Sequence, residues 1–214
     1  MNLTVGALWR YPVKTLGGEA LDIAEITKNG IVGDRNVHVR GPEGVRTSRR
    51  HHRLIGLHGS IDADGEPLVD GLPWRSPEVL RRVQAAAGAD AELARYDGPE
   101  RFDILPLLVA TDGAVAEFGR DVRRLRPNIV IDGVHGMDEV RWPGAELHIG
   151  DVIISLDSRR GRCPMTTVDP DTQEVDREVL KDIIRRFSGK LALNADVIRP
   201  GTIRVGDAVT LVRP

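Results

Sequence analysis

The sequence predicts an α+β protein built on a mainly antiparallel β-barrel with about three helices. Three observations carry this. Short apolar or alternating runs broken by turn dipeptides fill both ends of the chain. Helical periodicity is confined to three stretches in the middle and second half. Strands therefore precede, flank and follow the helices, the order expected of α+β packing.

Leu3 to Leu8 reads as the first strand and Ile23 to Ile26 as another, with turns at Asn29-Gly30 and Val32-Gly33-Asp34. Val37 to Val39 alternates around His38, and residues 41–53, GPEGVRTSRRHHR, read as a strongly basic loop or strand edge. Asp64-Gly65 and Asp70-Gly71 mark hairpin turns between short strands over residues 54–74. The first helix is expected over Pro77 to Ala87, with Ser76 as N-cap and Gly88 just past its end. A second is expected from Asp112 to Leu125, capped by Thr111, with Val115, Phe118, Val122 and Leu125 on one face. Asn128 to Ile131 reads as a buried strand. The third helix runs from Arg177 to Phe187 with Asp176 as cap and Gly189 closing it. Its expected buried stripe is Val179, Leu180, Ile183, Ile184 and Phe187. Residues 143–156, PGAELHIGDVIISL, echo residues 200–212, PGTIRVGDAVTLV, which predicts two similar β-hairpins. Residues 96–101, YDGPER, suggest a loop between two subregions that form one intimate unit.

The 214 residues carry a net charge of −2, so no overall basic field favours nucleic acid. No apolar stretch is long enough to cross a membrane, and the N-terminus lacks the pattern of a signal peptide. Arginine supplies nearly all the basic charge; the lysines are Lys14, Lys28, Lys181 and Lys190. Cys163 is the single cysteine, which excludes an internal disulfide or a cysteine cluster within this chain and fits a reducing cytoplasm.

Cys163 is the first candidate for chemistry, in RCPMTTVDPDTQ at 162–173 behind Arg159, Arg160 and Arg162. Neighbouring guanidinium groups favour a thiolate, the form that attacks electrophiles and binds soft metals, and the same arginines can clamp an oxyanion. A small buried hydrophobe is the alternative. Gly161 allows close approach of backbone to a ligand. Asp169-Pro170-Asp171 reads as a turn. Arg126-Pro127-Asn128 marks a helix-to-strand junction. Tyr11 to Gly18 sets Lys14 beside Thr15 and two glycines, a weak anion-binding pattern. His51, His52 and His58 lack metal-ligand spacing and sit among arginines. No serine-hydrolase or dinucleotide-binding glycine motif is present.

YPVKTLGGE and GIVGDR near the N-terminus, RLRPNIVIDG at 124–133, RCPMTTVDPDTQ at 162–173 and the closing VGDAV at 205–209 together resemble the MOSC family, named for the C-terminal domain of molybdenum cofactor sulfurase. The resemblance implies a β-rich N-terminal segment over residues 1–95 and a MOSC core over 96–214. It implies a molybdenum cofactor (Mo-molybdopterin), with Cys163 as the thiolate ligand to the metal and as the catalytic residue. Lys14, Thr15 and Arg35 would lie on the pterin or phosphate side, and Arg126, Asn128, Gly161 and Arg162 would complete the cradle. The layout is similar to that of the amidoxime-reducing branch and its bacterial counterparts. This implies a cytoplasmic oxidoreductase, independent of pyridoxal phosphate, that reduces small N-hydroxylated or related N-oxygenated compounds. Its electrons would come from a separate donor protein of ferredoxin, flavoprotein or cytochrome type. A persulfide or cofactor carrier with Cys163 as its attachment point is the alternative, and a plain binding module a third. The oligomeric state is not legible.

Overall fold

β1 (Leu3–Arg10) alternates buried and half-buried side chains and is the strand that joins the two halves of the molecule. The computed structural model describes residues 2–96, 98 and 101–213, so the expected loop at 96–101 lies partly outside the described residues. β2 (Glu19–Leu21) adds antiparallel to β1. β3 (Ile23–Thr27) turns through Asn29 and Gly30 into β4 (Gly30–Ile31). β5 (Val37–Gly41) and β6 (Gly44–Val45) form a hairpin. β7 (Gly59–Ile61), β8 (Pro67–Val69) and β9 (Leu72–Pro73) form a meander. Its second turn has positive φ at both Asp70 and Gly71, which Asp and Gly tolerate best. α1 (Pro77–Ala87) begins where the Ser76 hydroxyl accepts the Val79 N–H at 3.3 Å. β10 (Glu92–Arg95) then pairs with β5. α1 buries Val79, Val83 and Ala87 against Val13, Leu16, Val37, Val39 and Leu54, a second core separate from that of the barrel.

The C-terminal half forms most of the barrel. β11 (Leu107–Thr111), α2 (Asp112–Phe118) and β12 (Ile129–Asp132) come first. β13 (Glu146–Ile149) and β14 (Val152–Gly161) follow as a hairpin. α3 (Arg177–Phe187) leads to β15 (Lys190–Arg199), β16 (Gly201–Arg204) and β17 (Ala208–Val212). The barrel order is β12-β11-β15-β14-β13-β17-β1, closed by β1 pairing with β12. Val5, Leu8, Val109, Ile129, Leu147, Ile154 and Leu193 fill its interior. Closure leaves these strands without a free edge.

The barrel is mainly antiparallel, as expected; β11 and β12 are its one parallel pair among the described residues, joined through α2, the crossover that a parallel pair requires. Several other expectations need correction. α2 stops at Phe118, since Gly119 takes a left-handed φ of 64°; the chain restarts as a 3₁₀ turn at Val122–Arg124 under an Asp121 cap. The 200–212 repeat is not a second hairpin. β16 pairs with β3 while β17 pairs with β13 and β1, because the intervening turn is drawn onto β1: Gly206 N–H donates to Val5 O at 2.7 Å and Val5 N–H to Asp207 O at 2.9 Å. On α3, Val179, Ile183 and Phe187 are buried, Leu180 is half-buried, and Ile184 faces out with 57% of its surface exposed. His38 is buried like its neighbours Val37 and Val39, because β5 is covered on both faces. Among the described residues no helix is long and apolar enough to cross a membrane.

Candidate functional site

Lys14, Thr15, Arg35, Arg126, Asn128, Gly161, Arg162 and Cys163 all line one open cleft, about 860 Å³ including its mouth. They reach it from four segments: the loop after β1, the turn before β5, the junction before β12, and the end of β14. Thr15, Arg35 and Arg126 each have positive φ, at 81°, 56° and 56°. Non-glycine residues rarely take this conformation, and such strain gathers at functional sites.

Buried Asp34 holds the floor. Its carboxylate accepts the Tyr11 N–H at 2.7 Å, an amide hydrogen of Asn128 at 3.2 Å, and the Arg35 guanidinium. Asn128 is thereby oriented: its amide also donates to Trp9 O at 3.3 Å, while its carbonyl accepts the Leu108 N–H at 3.1 Å. Thr15 is buried and exchanges bonds with Ser48, accepting its N–H at 2.6 Å and donating its hydroxyl to Ser48 Oγ at 3.0 Å. That hydroxyl anchors the 47–49 loop as well as lining the cleft.

Arg126 lies over the Tyr11 ring, 4.1 Å from its centre, and donates through Nη1 to Leu16 O at 2.6 Å. Its Nη2 is buried with no partner. Burial lowers the Arg126 pKa to about 10, against the opposing pull of Tyr11. Burial also pushes the Tyr11 hydroxyl up to about 12. Arg162 donates to Leu125 O at 2.7 Å, has a buried unpartnered Nε, and is lowered to about 10 by burial and by the charge of Arg160. A buried cation with an unmet donor is costly, and an anion in the cleft relieves that cost.

Cys163 is half-buried at the start of the Pro164–Thr167 turn, where its carbonyl accepts the N–H and hydroxyl of Thr166 at 3.0 and 2.9 Å. Of the three neighbouring arginines, Arg160 and Arg162 face the cleft. Arg159 turns away to the carbonyls of Phe187 and Lys190. Gly161 has open space where a Cβ would lie, so close packing does not demand glycine there. Asp169 forms a turn, accepting the N–H groups of Asp171 and Thr172, and pairs with Arg124 at 2.7 Å. His51, His52 and His58 line no part of the cleft, and no cluster of metal-ligating side chains occurs among the described residues.

Sequence reasoning missed Asp103, Arg124, Arg49, Phe102, Met165 and Asn194 in the same walls. Asp103 is the cleft's carboxylate and bridges Lys14 at 2.9 Å, Arg160 at 3.0 Å and Arg49 at 3.4 Å. Arg49 could have been drawn from the basic run at 46–53; nothing local marks Asp103. The cleft thus combines one thiol, a strong excess of cations and a polar, fixed asparagine, a combination suited to an anionic ligand with a soft centre.

Residues 2–88 match the MOSC N-terminal beta barrel domain and residues 111–210 match the MOSC domain. The chain belongs to the MOSC family. Among its curated relatives, human mitochondrial amidoxime reducing component 2 is 31% identical over 280 residues, covering 96% of this chain and 82% of the relative. Human mitochondrial amidoxime-reducing component 1 is 29% identical, covering 98% and 82%. Both alignments run longer than this chain's 214 residues, so the relatives carry insertions that it lacks. The molybdenum cofactor sulfurase 2 of Culex quinquefasciatus is 36% identical over 70 residues, a third of this chain and 9% of the relative. The crystal structure of the YUAD protein from Bacillus subtilis shares the fold at a TM-score of 0.57 and 13% identity, over 100% of this chain and 97% of that one.

Proposed function

We propose that this protein is a molybdenum-cofactor oxidoreductase that reduces small N-hydroxylated or related N-oxygenated compounds, with Cys163 as the protein ligand to molybdenum. The observation that carries this reading is the orphaned Nη2 of buried Arg126, in the same cleft as the chain's only thiol. The residues fit the group. A phosphorylated pterin needs buried cations, a polar edge needs fixed amide and backbone partners, and a soft metal suits a thiolate. The names of the relatives, amidoxime-reducing components and a molybdenum cofactor sulfurase, support the same reading.

Lys14, Arg126 and Arg162 would neutralise the phosphate and shed the cost of their own burial. Asn128, held by Asp34, would offer its amide at a fixed angle, and Arg35 would close that side. Thr15 would keep the 47–49 loop against the ligand, and Gly161 would contribute backbone only. When bound, the cofactor would supply a two-electron centre for removal of oxygen from R–NH–OH, giving R–NH₂ and H₂O with two electrons and two protons. The protein's part is to bind, orient and exclude water. Electrons would come from a separate donor protein in the cytoplasm, and residues 1–95 and 96–214 would act as one unit around the cleft.

The test is molybdenum and pterin content, with benzamidoxime reduction by reduced methyl viologen, for the wild type and Cys163→Ala from a host that makes the cofactor. Near-stoichiometric metal and turnover in the wild type, with metal lost and turnover down at least about a hundredfold in Cys163→Ala, is expected. No metal in either protein sinks the reading. Sulfur mass added at Cys163 without retained molybdenum would make the protein a carrier.

A further inference from the structure

Beside the cleft, on the α3 side of Cys163, lies a second concavity with a largely apolar floor. Pro164, the residue after Cys163, forms one wall, and Arg49 lines both hollows, so the two adjoin at that side chain. Val175 and Ile184 are 42% and 57% exposed there. Ile184 projects from α3 beyond the face buried against Leu125 and Phe118. Arg49, Arg177 and Lys181 supply positive charge to the lining, which contains no carboxylate. Lys181 meets Glu178 at 2.7 Å and Arg49 meets Asp103 at 3.4 Å, both in exposed and therefore weak pairs, and Arg177 has no ion pair among the described residues.

We propose that this groove docks an acidic one-electron carrier protein that feeds the Cys163 site, a partner assignment that rests on the reductase reading above. An apolar centre with a charged rim is the anatomy of a transient protein interface. A cationic rim selects an acidic partner, steers its approach and allows the short residence that repeated delivery needs. Contact at Pro164 brings the carrier's redox group against the loop bearing Cys163. Reduction of R–NH–OH to R–NH₂ and H₂O takes two electrons and two protons. The carrier docks twice, each time losing one electron, and solvent supplies the protons.

The test uses the cofactor-loaded protein and a triple variant, Arg177→Glu, Lys181→Glu and Ile184→Asp, all at exposed positions outside the cleft. Benzamidoxime is reduced by methyl viologen in one series, and in another by NADPH through ferredoxin–NADP reductase and a plant-type ferredoxin, an acidic one-electron carrier. Ferredoxin-linked turnover is expected to fall at least about tenfold in the variant, and to fall in the wild type as salt rises from about 0.05 to 0.5 M. Viologen-linked kcat and KM stay unchanged. Equal ferredoxin-linked rates in both proteins, none with the wild type, or equal loss with both donors overturns the proposal. A raised benzamidoxime KM in the viologen series also overturns it, making the groove an extension for substrate. A wild type inactive even with viologen is a different result: it removes the reductase reading itself.

Discussion

Arg126 shows how a single side chain can be held ready for a ligand at a cost to the empty protein. One nitrogen is used structurally on Leu16 O, the guanidinium plane lies over Tyr11, and the other nitrogen is buried with nothing to bond. Arg126→Met keeps the apolar contact with Tyr11 but removes the donors. Cofactor retained through purification is expected to fall at least about tenfold, read as pterin oxidation product per protein, because a charge-assisted bond to an anion is lost. Equal pterin content would show that the orphaned nitrogen does not face the ligand. Asp103 gives a pH prediction. Burial raises its pKa, but Lys14, Arg160 and Arg49 outweigh this and hold the carboxyl below the usual aspartate range. A depressed folded pKa contributes stability that is complete above the unfolded value of about 3.9 and lost as pH falls through the folded one. The melting-temperature difference between wild type and Asp103→Asn is therefore expected to stay level from neutral pH to about 5 and to shrink below about 4. A difference that persists unchanged to pH 3 would contradict the cluster.

At the scale of elements, local signals fared unevenly for physical reasons. α1 and α3 keep their expected boundaries because their start signals are covalently local: Ser76 caps α1 and Asp176, bonded to Glu178 N–H at 3.0 Å, caps α3. α2 was expected to be longer because its apolar spacing continues past Gly119, yet the left-handed turn there overrides periodicity. Gly113 tests the reverse conflict. Helix propensity favours Gly113→Ala by up to about 1 kcal/mol. A Cβ there would lie 2.4 Å from Gly136 O and 2.5 Å from Val134 O, both backbone atoms. Gly113→Ala is expected to destabilise the protein by about 2 kcal/mol or more in urea unfolding, since neither carbonyl can withdraw freely. A stabilised variant would mean that α2 shifts easily against the 134–136 loop.

For the whole molecule, the decisive feature is that β1 belongs to the N-terminal part of the sequence but closes the barrel of the C-terminal part. Residues 96–214 expressed alone would leave β12 and β17 with unpaired edges and Ile129 and Ile131 without Val5 and Leu8 beside them. That fragment is expected to lack cooperative thermal unfolding and native-like amide dispersion, and adding residues 1–95 in trans should restore both. A fragment that melts cooperatively alone would show that closure is dispensable. The same long-range pairing explains the misread repeat. Residues 143–156 form a hairpin from adjacent sequence, whereas residues 200–212 are divided between two sheets by bonds to β1, some two hundred positions away.

The sequence by itself determined the α+β class and the starts and N-caps of all three helices, through turn dipeptides and capping side chains that act over a few residues, and it offered the candidate residues of the cleft through motif chemistry and family resemblance. Only the tertiary structure decided that those residues meet in one cleft, that β11 and β12 run parallel, that Arg159 turns away while Arg49 and Asp103 join the wall, and that Ile184 faces outward. Each of these depends on which distant backbone satisfies a strand's hydrogen bonds and on which charges burial forces together. A one-dimensional pattern records the capacity for such pairings but not the partner.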